Sequence, residues 1–110
     1  MAEVGSSGKP FACDVLEPNG EVLLNVEGDV DLRYVETFRS CLSRAVGCGK
    51  PLFVDLTSVS FIDGRGFRAI GDAAHRAADA GLAVTVVAPS ALVGRILLAT
   101  AGDALDVVGN

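Results

Sequence analysis

The stretch that decides the fold runs from residue 51 to residue 67 and reads PLFVDLTSVSFIDGRGF. Its first part, Leu52 to Leu56, is apolar except for one aspartate. A short run with so little alternation is typical of a central strand that is covered on both faces in an α/β sheet. Apolar character returns and then stops at Asp63, where glycines and a helical repeat begin. Asp63 is therefore predicted to be a helix N-cap, followed by free backbone N–H groups that suit a polar or anionic partner.

Two short strands and a helix are predicted ahead of this stretch. An Asn-Gly pair at 19–20 lies between two apolar segments and predicts a hairpin that joins strands at 11–16 and 21–27. The second strand alternates between apolar and polar residues, so one of its faces should be buried. From Leu32 the apolar spacing becomes helical, and Asp31 is the expected N-cap of that helix.

After the central stretch, helices alternate with strands. Helical spacing continues from Asp63 to Gly81, and the strand at 82–88 is nearly all apolar. A third helix begins at its predicted N-cap, Ser90, and precedes a last short strand at 105–108. The order β-β-α-β-α-β-α-β predicts an α/β fold, with a mixed β-sheet that has a parallel centre and is covered by about three helices. The expected core contains Leu24, Val54, Leu56, Phe61, Ile70, Val84, Val86 and Ile96.

Length and composition indicate one domain. The 110 residues have a mass of 11.3 kDa and only 5% are aromatic, so the chain has room for a single core built from aliphatic side chains. We expect this domain to span residues 11–110, after a flexible leader at 1–10. No apolar run approaches the roughly 20 residues that cross a bilayer, and the N-terminus lacks the features of a signal peptide. A cytoplasmic protein that does not bind membranes is expected.

The charge distribution argues against a nucleic-acid partner. The net charge is -5 at pH 7, and the nine Lys and Arg residues are scattered along the chain without a run. Binding to phosphate groups needs a concentrated basic face. The acidic balance favours solubility and gives at most a mild preference for a basic partner surface.

The three cysteines, Cys13, Cys41 and Cys48, form no C-x-x-C motif, and their odd number does not indicate a disulfide framework. Cys41 and Cys48 are about 10 Å apart if both lie on one helix, which is too far for a disulfide bond. The main interpretation is that the cysteines are small buried or half-buried thiols. A redox switch is the alternative.

Two motifs, taken together and in this order, resemble the STAS family, whose best-known members are bacterial anti-sigma factor antagonists. The family pattern is an apolar strand with an aspartate, followed by a Phe-Ile/Met-Asp-Ser-Ser-Gly-Leu junction that opens a helix. Here the strand reads Val54-Asp55-Leu56, and the junction reads Phe61-Ile62-Asp63-Gly64-Arg65-Gly66-Phe67. About 30 residues earlier, Gly28-Asp29-Val30-Asp31 is similar to a second family segment. The resemblance extends from about residue 11 to the C-terminus.

The resemblance implies a switch protein without catalysis or cofactor. Such antagonists bind a cytoplasmic anti-sigma factor, often a serine kinase of the histidine-kinase-like ATPase type, and so free a sigma factor for transcription, commonly in a stress response. By this resemblance, the partner-binding residues are Asp29, Asp31, Asp63, Gly64, Arg65, Gly66 and Phe67.

The sequence departs from the family pattern at the phosphorylated position. The kinase partner of these antagonists modifies the first serine after the junction aspartate, and this chain has Gly64 there, which carries no hydroxyl group. Phosphorylation at this position is therefore impossible. Thr57, Ser58 and Ser60 lie a few residues upstream and are weak substitutes as acceptors. Arg65, at the second serine position, adds positive charge that could select a more acidic partner.

Four other functions compete with this interpretation. An enzyme is disfavoured because the single histidine, His75, lies in mid-helix with no nucleophile beside it and is expected at the surface. A metal site would need convergence of aspartates that each have a structural role as a cap or at a strand end, namely Asp29, Asp31, Asp55 and Asp63. A nucleotide-binding module is also weak, because the third glycine after Gly64 and Gly66 is displaced to Gly71. The serious alternative is a STAS scaffold or regulatory module of a stress-sensing or transport complex.

Overall fold

The computed structural model describes residues 10 to 109. The predicted leader lies outside the described residues except for Pro10. The strands and helices are β1 (Ala12–Leu16), β2 (Val22–Val30), α1 (Val35–Gly47), β3 (Leu52–Ile62), α2 (Gly64–Asp79), β4 (Val84–Ala88), α3 (Ala91–Ala101) and β5 (Asp106–Gly109). A short 3-10 turn at Pro18–Gly20 forms the predicted hairpin, and another at Gly102–Ala104 follows α3. This order of elements confirms the sequence prediction.

The five strands form one sheet in the order β1-β2-β3-β4-β5. Only β1 runs antiparallel to its neighbour, and the remaining pairs are parallel. The central position of β3 confirms that residues 52–56 form the middle of the sheet. Val54 lies opposite Leu24 of β2 and Val86 of β4, so three buried aliphatic side chains are aligned across the centre.

The helices cover one face of this sheet. In β2, β3 and β4, alternate apolar side chains are buried and form one core cluster with the inner faces of the three helices. The side chains between them, such as Leu23, Phe53 and Val87, are only half-buried on the opposite face. The expectation that the central strand is covered on both faces is therefore wrong. Apolar residues on the open face are tolerated because a folded protein normally leaves much apolar surface in water.

Two of the predicted core residues are exposed. Phe61 is 43% exposed and Ile96 is 36% exposed, whereas the other predicted core residues are buried. Phe61 lies on the part of β3 that extends beyond its pairing with β4. In α3, the buried positions are Gly94, Leu97 and Ala101, so this helix packs Leu97 between two small residues and leaves Ile96 outside.

β2 and β3 are longer at their carboxyl ends than the sequence predicted. Gly28 to Val30 extend β2 beyond its predicted end at Glu27. Glu27 to Val30 pair with residues 58–62 of β3, with register shifts between Asn25 and Glu27 and between Gly28 and Asp29. Gly28 has a φ of 83°, a left-handed conformation that suits glycine at such an irregularity. The mutual pairing explains why the polar residues Thr57 and Ser58 do not end the strand.

The structure contradicts the interpretation of all three cysteines as free thiols. Cys13 of β1 and Cys41 of α1 form a disulfide bond across 28 residues of sequence, and Cys48 has a free thiol. The pairing arises because β1 folds back on β2 and α1 packs against both strands. Sequence spacing alone does not reveal this proximity.

Candidate functional site

The two segments that carry the family resemblance lie side by side at the carboxyl end of the sheet. Val30 at the end of β2 is opposite Ile62 at the end of β3, and the backbone N–H of Asp63 donates to the carbonyl of Val30 at 3.2 Å. The turn at Asp31 to Tyr34 and the start of α2 therefore form one continuous surface. We call this the junction surface and define it by residues 29–34 and 63–67.

Asp63 caps α2, as predicted. Its Oδ1 accepts hydrogen bonds from the backbone N–H groups of Arg65 at 3.0 Å and Gly66 at 3.3 Å. The guanidinium of Arg65 donates to Oδ2 at 3.3 Å, so the cation expected on the partner-facing surface is paired with the cap. Both partners keep contact with solvent, and exposed ion pairs of this kind contribute little to stability.

The two glycines of the junction have opposite environments. Gly64 is exposed, its φ is not positive, and a Cβ atom built on it would meet nothing within 4 Å. Gly66 is buried, and a Cβ there would lie 2.6 Å from Ile62 Cγ1 and 2.9 Å from Val30 Cγ1. Glycine is therefore required at Gly66 by packing, whereas Gly64 leaves an open position at the first residue of α2.

Asp31 does not cap α1, because the helix begins later, at Val35. Its carboxylate instead accepts from the backbone N–H of Arg33 at 3.0 Å, and its carbonyl accepts from the N–H groups of Tyr34 and Val35. Asp31 thus stabilises a turn that precedes the helix. The side chain of Arg33 donates to the same carboxylate, with its shortest contact at 2.8 Å from Nη2 to Oδ2. This hydrogen bond is the main reason that the pKa of Asp31 lies below its usual value.

Asp29 is fully buried, unlike the other predicted partner-binding aspartates. Its carboxylate lies 3.7 Å from Nη2 of Arg33, whose side chain is largely exposed. Asp29 therefore contributes to the junction surface through Arg33 rather than by direct exposure. Arg33 also lies over the ring of Tyr34, with its guanidinium carbon 5.0 Å from the ring centre, so the turn is held by ionic and cation–π contacts.

An apolar groove of about 360 Å³ adjoins the junction surface. Its lining includes Phe61 and Ile62 of β3, Phe67 of α2, and Leu92 and Ile96 of α3. Leu92 is 58% exposed, and together with Phe61 and Ile96 it forms a cluster of large apolar side chains in water. On this side of β3, no strand of residues 10–109 pairs with the segment after Asp55. Exposed apolar clusters next to polar surfaces are typical of protein-binding sites.

Sequence reasoning missed this groove because it assigned Phe61 and Ile96 to the core. One feature of the sequence does indicate the groove: α3 is apolar on all sides, although only one of its faces packs against the core. The weak substitute acceptors Thr57, Ser58 and Ser60 lie on the same extension of β3 and are all exposed. The hydroxyl of Thr57 is hydrogen-bonded to Asp55 at 2.6 Å.

The residues considered for other functions have structural contacts. Asp55 bonds to Thr57, and Gly71 is buried in α2, where a Cβ would lie 3.0 Å from Thr100 of α3. His75 is exposed, as predicted. Within residues 10–109, no three His, Cys, Asp or Glu side chains are grouped to hold a metal ion. The described helices include none that is both long and apolar enough to span a membrane.

Comparison with known proteins agrees with this fold. Chains of solved structure with the same architecture include an anti-sigma factor antagonist from Mycobacterium paratuberculosis (TM-score 0.72, 18% identity, covering 93% of this chain and 88% of that chain). A Ser-to-Glu variant of RsbS from Moorella thermoacetica has a TM-score of 0.72 and 19% identity, with 89% and 86% of the two chains covered. The anti-sigma factor antagonist SpoIIAA of Bacillus, in its unphosphorylated form, has a TM-score of 0.65 and 18% identity, with 79% of this chain and 80% of that chain covered.

At these identities, the structural likenesses establish the fold alone. A search of curated proteins finds no significant match. The family model described as the STAS domain matches residues 12–105, which is most of the sequence. The match includes both segments of the junction surface and every strand but the last. This chain therefore belongs to the STAS domain family.

Proposed function

We propose that this protein is an anti-sigma factor antagonist, which binds an anti-sigma factor in the cytoplasm and thereby frees a sigma factor. The STAS fold and its likeness to proteins that are themselves such antagonists support this proposal. The protein acts as a binding partner without catalysis or a cofactor. By the family resemblance, its partner is often a serine kinase of the histidine-kinase-like ATPase type.

The observation that carries the proposal is the open position at Gly64 on a junction surface that adjoins an apolar groove. The junction surface carries the paired charges of Asp31 with Arg33 and of Asp63 with Arg65. The groove is lined by Phe61 and Leu92, among others. A centre of apolar contacts with a polar rim is the usual anatomy of a protein interface, and the open space at Gly64 lets a partner approach the start of α2.

Gly64 has a specific consequence for regulation. A phosphate group adds roughly −2 charge at a helix start, where the helix tolerates it but an opposing acidic or apolar surface does not. Gly64 has no hydroxyl group, so this means of control is absent at the usual position. We infer that a kinase-type partner and ATP leave this junction unmodified and that binding persists.

The decisive experiment is a calorimetric titration of the full chain against the anti-sigma factors of its source organism. We expect one of them to bind the wild-type chain, and Gly64→Asp to weaken that binding at least about tenfold, or about 1.4 kcal/mol, because a carboxylate is placed at the contact. Gly64→Asn is the matched control for shape without charge and should bind nearly as the wild type does. Gly64→Ser tests whether a kinase partner can modify a restored acceptor beside Arg65.

Melting temperatures separate an effect on binding from an effect on folding. Gly64 has an ordinary φ and open space, and an acid near a helix N-terminus is favourable by about 0.3–1 kcal/mol. Gly64→Asp should therefore be at least as stable as Gly64→Asn. Equal affinity of the wild type and Gly64→Asp would show that the junction is not the binding surface. If no anti-sigma factor binds above background, the alternative of a STAS scaffold or regulatory module replaces this proposal.

A further inference from the structure

The disulfide between Cys13 and Cys41 joins an edge strand to the first helix. Cys13 is the second residue of the five-residue β1 and is half-buried, whereas Cys41 is 3% exposed within α1. We infer that this bond is a reversible redox latch, which holds β1 and the Asp31–Tyr34 turn in their folded arrangement when oxidised and releases them when reduced.

β1 has fewer supports than the central strands, although Phe11, Cys13 and Val15 pack partly against the core. It has one neighbouring strand, β2, and pairs with it at the edge of the sheet. None of its five residues is fully buried, and Ala12, Asp14 and Leu16 are exposed. Segments with few buried apolar contacts are those that open locally without unfolding of the whole domain. Loss of the covalent link to α1 should therefore increase the opening of β1.

Aromatic contacts connect the latch to the junction surface. Phe11, two residues before Cys13, stacks on Tyr34 with ring centres 5.3 Å apart and meets Phe38 edge-on at 6.4 Å. Tyr34 in turn supports the guanidinium of Arg33, which pairs with Asp31. Displacement of β1 would remove Phe11 from Tyr34. The Tyr34 ring, and through it the cation–π contact of Arg33, would then lose its support from β1.

The surroundings of the two sulfur atoms determine which of them a reductant attacks and which one leaves. Cys13 is the more accessible residue, so an external thiolate attacks its Sγ, and the Sγ–Sγ bond breaks as a bond forms between Cys13 and the reductant. Cys41 leaves as a thiolate beside Arg44, whose Nη2 lies 3.4 Å from its Sγ, and a nearby cation favours the thiolate form.

A dithiol reductant completes the reaction. Its second thiolate attacks the mixed disulfide, releases Cys13 as a thiolate, and closes the reductant's own disulfide. Two electrons pass to the protein, and the two thiolates take up the two protons that the dithiol gives up. Cys48 does not take part, because its thiol donates to the carbonyl of Arg44 at 3.3 Å and lies two helical turns beyond Cys41. In a reducing cytoplasm, disulfides that do form are usually transient and serve catalysis or redox sensing.

The effect of the latch on partner affinity rests on the proposed function. Partner binding needs an ordered Asp31–Tyr34 turn, so the apparent dissociation constant rises by the inverse of the fraction of molecules in which the turn is ordered. If reduction leaves half of the molecules ordered, affinity falls about twofold. The oxidised protein is therefore the stronger binder.

The test compares oxidised and dithiothreitol-reduced protein in a Cys48→Ser background, which prevents thiol exchange with the free cysteine. Alkylation and mass spectrometry should find no free thiols in the oxidised form and two in the reduced form. Hydrogen exchange of the amides of Ala12–Leu16 should be at least tenfold faster in the reduced form, whereas exchange in Val84–Ala88 should not change. Cys13→Ser in the same background should match the reduced form with or without dithiothreitol.

Several outcomes would overturn the latch. They are equal exchange of β1 in the two forms, equal acceleration in β4, and failure of the disulfide to re-form after dithiothreitol is replaced by oxidised glutathione. Arg44→Gln should slow reduction several-fold, and an unchanged rate would refute the role given to Arg44. Titration of both forms against the anti-sigma factor then tests the link to binding. If neither form binds, the proposed function fails, while the exchange results still decide the latch.

Discussion

Replacement of Gly66 by alanine tests how closely the two segments of the junction surface are packed. A Cβ at this position would lie 2.6 Å from Ile62 Cγ1 and 2.9 Å from Val30 Cγ1, whereas carbon atoms in favourable contact are about 3.5–4.0 Å apart. Both contacts are therefore too short by roughly 1 Å. Ile62 is half-buried and can move in part, whereas Val30 is fully buried, so its movement is more restricted.

The expected loss of unfolding free energy in Gly66→Ala follows from this overlap. Insertion of a methyl group into a packed site typically destabilises a protein by about 1–3 kcal/mol. Gly64→Ala provides the matched control two residues away, because its backbone is compatible with alanine and its Cβ meets nothing. Alanine there lowers the entropy of the unfolded chain and should stabilise by about 0.4–1 kcal/mol. The two variants should therefore differ by roughly 1.5–4 kcal/mol.

Urea denaturation of the oxidised protein measures both unfolding free energies. A double-mutant cycle identifies the source of the cost: if Ile62 is responsible for part of it, Gly66→Ala should cost less in an Ile62→Ala background. The reasoning would be refuted if Gly66→Ala were as stable as the wild type or more so. It would also be refuted if Gly64→Ala lost as much stability as Gly66→Ala, because the difference between the two environments would then have no effect.

Two further predictions concern the groove and the acidic turn. Phe61→Ala should lower partner affinity by about 2 kcal/mol or more if it is an interface anchor. The unfolding free energy should fall by only about 1 kcal/mol, because Phe61 is 43% exposed in the free protein. Leu16→Ala, at the other end of the sheet, is the control and should leave the affinity for the partner unchanged. The pKa of Asp31 is lowered in the folded state, so its contribution to stability is present above the unfolded value near 3.8 and is lost as pH falls through the lower folded value. The free energy of unfolding, measured from pH 5 down to about pH 2, should therefore decline more steeply for the wild type than for Asp31→Asn. Parallel declines would contradict this assignment.

The topology of the sheet could be predicted because its signals are local. The Asn-Gly turn predicts the antiparallel edge strand, and the alternation of strands with helices predicts the parallel centre of the sheet. Asp63 and Ser90 were also identified correctly, because an N-cap needs only a short polar side chain near the next backbone N–H groups. Asp31 has the same chemistry but was assigned wrongly, since its carboxylate is used in a separate turn before the helix begins.

The features that sequence did not predict depend on contacts between distant segments. The carboxyl ends of β2 and β3 are strands because they pair with each other, so Thr57 and Ser58 remain in a strand despite their polarity. The inner face of α3 was partly misassigned because two of its buried positions, Gly94 and Ala101, are small residues. Gly94 packs there against β5, where a Cβ would lie 3.2 Å from Val107, and the larger Leu92 and Ile96 are left for the groove. The disulfide likewise depends on the folding of β1 against α1.

A charge introduced at Gly64 and reduction of the disulfide should both weaken binding at the junction surface, but by different physics, and salt separates the two effects. A charge at Gly64, whether a phosphate restored through Gly64→Ser or the carboxylate of Gly64→Asp, acts by electrostatic repulsion at an exposed position. Such interactions are screened over about 8–10 Å at ordinary ionic strength and over about 3 Å in 1 M salt. The disulfide acts through the packing of Phe11 on Tyr34, which salt does not screen. Raising the salt concentration should therefore reduce the difference in affinity between Gly64→Asp and Gly64→Asn, while the difference between oxidised and reduced protein remains. If salt abolished both differences, the latch would have to act through charge, and the aromatic connection from Cys13 to the acidic turn would not explain its effect on binding.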